Sequence, residues 1–242
     1  MTKFRALHAL RLTFVVWARN LVPFTLFMLA VYGPLVALLI ALSGDEAALI
    51  LLDPHDPVVP LVMAGIGVVA MPLLTYRVIQ SVGGVRVPMR TSAKRGLRGW
   101  IPALLLAALS VGLLFLHFTG VVIGAVVLPF LFVMTPAAIA ERRWPLATVQ
   151  RSAQLTADPW LRIFALRALL AIGNGAIVGF TAPMWRDDLP GNELRLDVQA
   201  ISVLTFAIAW QLFAQILESV TYVLLREAKE GLSNQPLVRV FE

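Results

Sequence analysis

Apolar residues run in long blocks along this chain, and the polar positions between them gather in short clusters. Six blocks stand out, at 21–42, 58–79, 100–117, 120–140, 160–181 and 200–225. Each is close to the ~20 residues that an α-helix needs to cross a ~30 Å hydrocarbon core. Barrel-type strands, with their period of two, are absent from the pattern. The blocks therefore predict an all-α polytopic membrane protein with six transmembrane helices in a single domain over 1–242. The third and fourth blocks are separated only by "HFTG" (117–120). One helix across 100–140 would be about twice too long for a bilayer, so a tight turn is predicted there.

Short mixed segments precede the odd-numbered blocks, and they resemble one another. "LRLTFVVWARNLVPF" leads into the first, "TSAKRGLRGWIPALL" into the third and "VQRSAQLTADPWLRIF" into the fifth. In the first, Leu7, Leu10, Phe14 and Trp17 share one helical face, with Arg5, His8 and Arg19 opposite. That is the pattern of a helix lying in the headgroup plane, so 1–19 is predicted to be interfacial. The even-numbered blocks end alike, in "TYRVIQSVGG" and "TYVLLREAKEG". The simplest organisation is three units, each a short interfacial amphipathic helix followed by a transmembrane hairpin. Chance likeness among membrane hairpins with basic flanks is the competing explanation.

Composition agrees with the pattern: 59% of the 242 residues are hydrophobic and 14% charged. Soluble domains carry about 25% charged residues. Basic residues crowd one set of connections: 1–20, 77–98, 142–162 and the tail 226–242. The other connections hold Asp45, Glu46, Asp53, Asp56, Asp187, Asp188, Glu193 and Asp197 against only Arg186 and Arg195. The positive-inside rule then places both termini in the cytoplasm. It also accounts for the net charge of +6. Arg90, Lys94 and Arg98 form one stripe at four-residue spacing, and with Arg151 they are candidate contacts to anionic lipid headgroups. No nucleic-acid-binding module accompanies these charges. The chain has no cysteine, which removes disulfides and thiolate chemistry. The spread of charges over 1–19 and the length of the block after it do not fit a cleaved signal peptide.

Two stretches carry a resemblance. "PAAIAERRWPLATVQRSAQLTADPWLRIF" contains Pro136, Glu141, Ala147, Arg151, Ser152, Leu155, Thr156 and Trp160, and "YVLLREAKEG" contains Tyr222, Leu225, Arg226, Lys229, Glu230 and Gly231. Both resemble stretches of a bacterial family of multi-spanning proteins similar to the membrane domain of membrane-anchored glycerophosphodiester phosphodiesterases, the YciC-like proteins among them. The resemblance implies an integral plasma-membrane protein. A phosphodiesterase domain is missing from this chain, so no enzymatic activity comes with the resemblance.

Polar groups inside the last block are the candidate site. Gln211, Gln215, Glu218 and Tyr222 fall within an arc of about 60° on one helical face. Lipid cannot satisfy such groups, so this face is expected to look into the bundle or a wet cavity. Arg167, at matching depth on the fifth block, is the expected ion-pair partner of Glu218, with Arg77 as its rival. The pair either ties helices together or lines a route for a small polar solute or lipid. Pro34, Pro72, Pro129 and Pro136 predict kinks. Gly120-x3-Gly124 and Gly175-x3-Gly179 allow close helix approach, within the chain or between copies in a homo-oligomer. Asn174, between two glycines, offers a break in the fifth helix as the alternative reading, and helix packing is the preferred explanation of these glycines and prolines.

Outside the membrane, "DPHDP" (53–57) groups Asp53, His55 and Asp56. Its spacing matches no established metal motif, and Asp-Pro pairs are ordinary turn formers. No nucleophile elbow or phosphate-binding loop is visible, so neither a cofactor nor a catalytic residue is predicted. The expected role is structural, scaffolding or lipid-interacting, with membrane lipids as partners. A transporter or channel using the Gln211–Gln215–Glu218 face is the alternative.

Overall fold

The computed structural model describes residues 4–43, 73–85, 87–98, 127, 129–141, 144–181 and 193–231. Among them every regular element is helical, so the protein is all-α there. Helices α1 (Ala6–Arg19) and α2 (Leu21–Ser43) open the chain. A helical stretch at 73–82 is α3. Then follow α4 (Met89–Arg98), α5 (Met134–Glu141), α6 (Pro145–Thr156), α7 (Trp160–Thr181) and α8 (Glu193–Glu230). The block 100–117, the "HFTG" turn, most of 58–79, the Asp53–His55–Asp56 cluster, Asp187 and Asp188 and the tail beyond 231 lie outside the described residues.

Among the described residues one segment, Ile208–Glu230, is long and apolar enough to cross a membrane. Helix α1 and Leu21–Pro34 pass the same test as a pair bent by 75°. The bend has a chemical cause. Asn20 sits between the two helices, and its side-chain amide donates to the Val16 carbonyl at 2.9 Å and to Ser81 Oγ at 3.2 Å. A short amide side chain that captures backbone carbonyls competes with helix propagation. Arg77 donates to the same side chain at 3.4 Å and lies 5.7 Å from the centre of the Phe24 ring. It is thus drawn to the bend rather than towards Glu218.

Helix α8 is the hub. It has 38 residues, about 57 Å at 1.5 Å per residue, so it runs past both ends of its apolar block. Helices α1, α2, α5, α6 and α7 all pack on it. Ile216, Leu217 and Val220 on α8 are fully buried, as are Phe24 on α2 and Ile163 on α7. Helix α1 docks through a stripe of smaller side chains, Ala9, Thr13 and Val16, which lets the two backbones come close. Of the large apolar face expected on α1, Leu7 and Phe14 are exposed. Trp17 and Phe14 still flank Phe213 of α8, with ring centres 6.4 and 5.0 Å away.

Two short helices are pinned to earlier parts of the chain by the same kind of bond. Ser92 on α4 donates to the Leu73 carbonyl at 2.6 Å, and Ser152 on α6 donates to the Phe130 carbonyl at 2.7 Å. Each acceptor directly follows a proline, Pro72 or Pro129, and both serines are fully buried. Each serine stands eight residues before a tryptophan, Trp100 or Trp160, and on α1 the fully buried Ala9 stands eight before Trp17. One turn further on, Thr13 and Thr156 donate back to the carbonyls of Ala9 and Ser152 at 2.8 and 2.9 Å. Near Phe130 the helix is interrupted at 132–133. Pro136 cannot donate to the Phe132 carbonyl and crowds it, which breaks the ladder at that point.

Helix α7 is continuous through Gly173, Asn174 and Gly175, so the alternative of a break at Asn174 is not realised. The glycine that permits close approach is Gly173. A Cβ built there would lie 1.9 Å from the Trp210 ring, whereas one on Gly175 would meet nothing within 4 Å. The contact fixes the register of the antiparallel α7–α8 pair.

Candidate functional site

The polar face of α8 contains the residues read from the sequence. Gln215 and Tyr222 are buried, and Gln211 and Glu218 are half-buried. From the Gly173–Trp210 contact, six residues back along α7 and eight forward along α8 reach Arg167 and Glu218. At ~1.5 Å per residue the two stand within about 3 Å of the same level. The charge of Arg167 acts on Glu218, yet among the described residues no hydrogen bond or ion-pair contact joins them. The buried seam between their helices is filled by Leu166, Leu170, Phe213 and Leu217, which leaves both charged groups at its flank. The expected pair is therefore a proximity without a bond.

Gln215 is the anomaly of this face. It is 5% exposed, and among the described residues neither its amide nitrogen nor its amide oxygen has a hydrogen-bond partner. Leaving such groups unpaired in the interior costs about 1–3 kcal/mol. Ser219, one turn on, is satisfied by the Gln215 backbone carbonyl at 2.9 Å. Tyr222, a further turn along the polar face, donates its hydroxyl to Glu141 Oε1 at 3.0 Å.

That bond leads into a charged cluster which the sequence reading did not assemble. Arg151 on α6 donates through Nε to both oxygens of Glu141, at 2.9 and 3.1 Å, and through its other nitrogen to Glu230 on α8. Arg226 donates to the second oxygen of Glu230 at 2.9 Å. Beside them Lys229 pairs with Asp158 at 2.6 Å and reaches the Gln154 carbonyl. Two arginines and two carboxylates thus join α5, α6 and α8 at one end of the bundle. Burial pulls the Arg151 guanidinium down, but its hydrogen bonds to Glu230 and Glu141 and their charges hold it above its usual range. Glu230, beyond the apolar block that ends at Leu225, is pushed up by burial and pulled down further by Arg151 and Arg226, so its carboxyl titrates below its ordinary range.

The arrangement changes the part expected of Arg151. Expected as a headgroup contact, it is 15% exposed in its side chain and holds two carboxylates. Arg90 and Lys94 are exposed on α4, and Arg98 closes the same helix. Among the described residues no group of three or more His, Asp or Glu is placed to hold a metal ion.

Every member of the clamp comes from the two stretches that carry the family resemblance: Glu141 and Arg151 from one, Tyr222, Arg226 and Glu230 from the other. No family model, no curated protein and no solved structure matches the chain.

Proposed function

We propose that this chain is an integral protein of the bacterial plasma membrane, with a structural and lipid-interacting role rather than a catalytic one. The observation that carries the reading is the apolar surface of α2 and α7. Val22, Leu26 and Leu29 on α2, and Leu161, Phe164 and Ile172 on α7, are exposed along one face of each helix. Water would penalise such contiguous faces, whereas hydrocarbon would not. At the start of α6, Trp144 and Leu146 are 82% and 85% exposed, as expected of side chains anchored at a membrane interface.

On this reading the six apolar blocks are spans, both termini are cytoplasmic and the charged clamp closes the cytoplasmic end of the bundle. The recurrent serine-to-carbonyl docking and the eight-residue spacing to tryptophan support three units of similar build. The extensive packing of α1 on α8 would then join the first unit to the last. Membership of the YciC-like family stays part of the proposal, and it rests on the stretches that form the clamp.

A second reading, a transporter or channel along the Gln211–Gln215–Glu218 face, is favoured by one observation. Among the described residues Gln215 is buried with both amide atoms unpaired, so this face carries a polar group that packing alone does not account for. Flux across proteoliposomes that disappears in Glu218→Gln would favour it over the structural reading.

Alkaline carbonate extraction of bacterial membranes tests the first reading. The protein is expected to stay in the pellet and to leave it only with detergent. Release into the carbonate supernatant would contradict membrane integration.

A further inference from the structure

Asn174 stands at a level where a bilayer offers an amide no partner. It lies fourteen residues beyond Trp160 and seven before Thr181 on α7, about 21 Å and 10 Å along the helix. An asparagine side chain is too short to reach either interface from there. Asn174 is exposed, and among the described residues its amide makes no hydrogen bond. Facing hydrocarbon, both its donor and its acceptor would go unpaired. Its exposed neighbours Ala171 and Gly175 are small, and the three fall within an arc of about 100° on α7. A Cβ on Gly175 would meet nothing within 4 Å, whereas Gly173 is filled against the Trp210 ring. The two glycines thus face different ways. Gly173 makes room for α8, and Gly175 makes room for nothing in this chain.

We propose that Asn174, with Ala171 and Gly175 beside it, forms the contact surface for α7 of a second copy of this chain. The surface rests on the membrane-spanning reading above and adds a partner to it. Symmetry makes a second copy the occupant that suits the amide. Copies inserted the same way round hold Asn174 at the same level, so a two-fold axis along the bilayer normal brings the two amides together. An amide is both donor and acceptor, and each side chain can donate to the carbonyl of the other. Two reciprocal bonds then satisfy groups that lipid cannot. Ala171 and Gly175 put no bulk between the backbones, and small-residue pairings of this kind cross at about −40°. The two helices separate towards Trp160, which leaves the exposed Leu161 and Phe164 to lipid.

Disulfide mapping in native membranes tests the surface, and a chain without cysteine gives no background. Ala171→Cys should form an oxidant-dependent dimer, because a disulfide needs Cα atoms about 4.4–6.8 Å apart. Leu169→Cys, exposed on another side of α7, should stay monomeric. Energy transfer between full-length copies labelled at the carboxyl terminus and diluted in liposomes then reads the strength of association. Asn174→Leu should weaken it roughly tenfold, the ratio that ~1.4 kcal/mol of lost interhelical bonding provides. Gly175→Leu should weaken it at least as much, although a Cβ there is unopposed within the chain. Absence of energy transfer between wild-type copies at every dilution overturns the proposal even where no variant folds. Cross-linking at Leu169→Cys equal to or above that at Ala171→Cys overturns it too, as does association unchanged by both leucine substitutions. Release of the protein by carbonate would instead remove the membrane reading beneath, so the two failures are distinguishable.

Discussion

Tyr222 on α8 donates its hydroxyl to Glu141 at the end of α5 across 3.0 Å. The bond joins two regions of opposite character. On one side Gln215 is buried with no partner for either amide atom. On the other, Glu141, Arg151, Glu230 and Arg226 engage one another in a continuous set of charge-assisted bonds. Two short helices and the hub helix are therefore tied at one end, while the polar face beyond the tie holds a buried amide that packing leaves unsatisfied.

Breaking the tie should loosen the bundle in proportion to what is left behind. Tyr222→Phe removes one bond to a carboxylate and should cost about 1.5–3 kcal/mol. Arg151→Met strips Glu141 and Glu230 of their shared cation and should cost roughly 3–5 kcal/mol, since the surviving carboxylates remain partly buried. Thermal unfolding in detergent should therefore rank wild type above Tyr222→Phe, and Tyr222→Phe above Arg151→Met.

Acid should weaken the same end. Glu230 has its carboxyl lowered from the ordinary 4.5 by Arg151 and Arg226, so the unfolded chain takes up a proton before the folded one does. The stability this provides is fully present above about pH 4.5 and is lost as the pH falls through the lowered folded value. The melting temperature should stay flat from neutral pH down to that range and then drop. In Glu230→Gln the drop should be smaller, on a lower plateau.

Close approach of α7 and α8 depends on one missing methyl group. Gly173→Ala would put a Cβ at 1.9 Å from the Trp210 ring, and overpacking of this kind costs about 1–3 kcal/mol. Pairing it with Trp210→Leu should recover part of the loss. Gly175→Ala, with nothing within 4 Å, should leave the melting temperature unchanged or slightly raised.

The two docking serines should behave as a pair. Ser92→Ala and Ser152→Ala each delete one bond to a carbonyl that follows a proline, at about 1 kcal/mol apiece. Their losses should add in the double variant, because the serines tie down different helices. A loss confined to one serine would remove the likeness between the two dockings.

Much of the architecture could be read along the chain because hydrophobic blocks are local signals. The helical class, the polar face of α8 and the neighbouring of α7 and α8 follow from periodicity and chain order alone. The clamp does not, since Glu141, Arg151 and Glu230 are far apart in sequence and depth counting says nothing about which helix ends meet. Its trace is present all the same in the stretches 136–164 and 222–231, which hold all of its residues, although sequence alone makes Arg151 a headgroup contact. The Arg167–Glu218 bond failed for a different reason. Matching depth sets the level of a side chain, but Leu166, Leu170 and Leu217 occupy the seam and hold the charges to its flank. Around Asn174 the glycines serve packing, as preferred from the sequence, because Gly173 makes room for the Trp210 ring.

Sidedness tests the account most directly, and a chain without cysteine suits the measurement. Single cysteines at Arg90, on the exposed basic stripe of α4, and at Asp53, in the acidic connection, would be treated in intact cells with a membrane-impermeant maleimide. Asp53→Cys should label at once and Arg90→Cys only after the membrane is opened. Labelling of Arg90→Cys from outside, or equal labelling of both, would contradict the orientation and the membrane-spanning fold built on it.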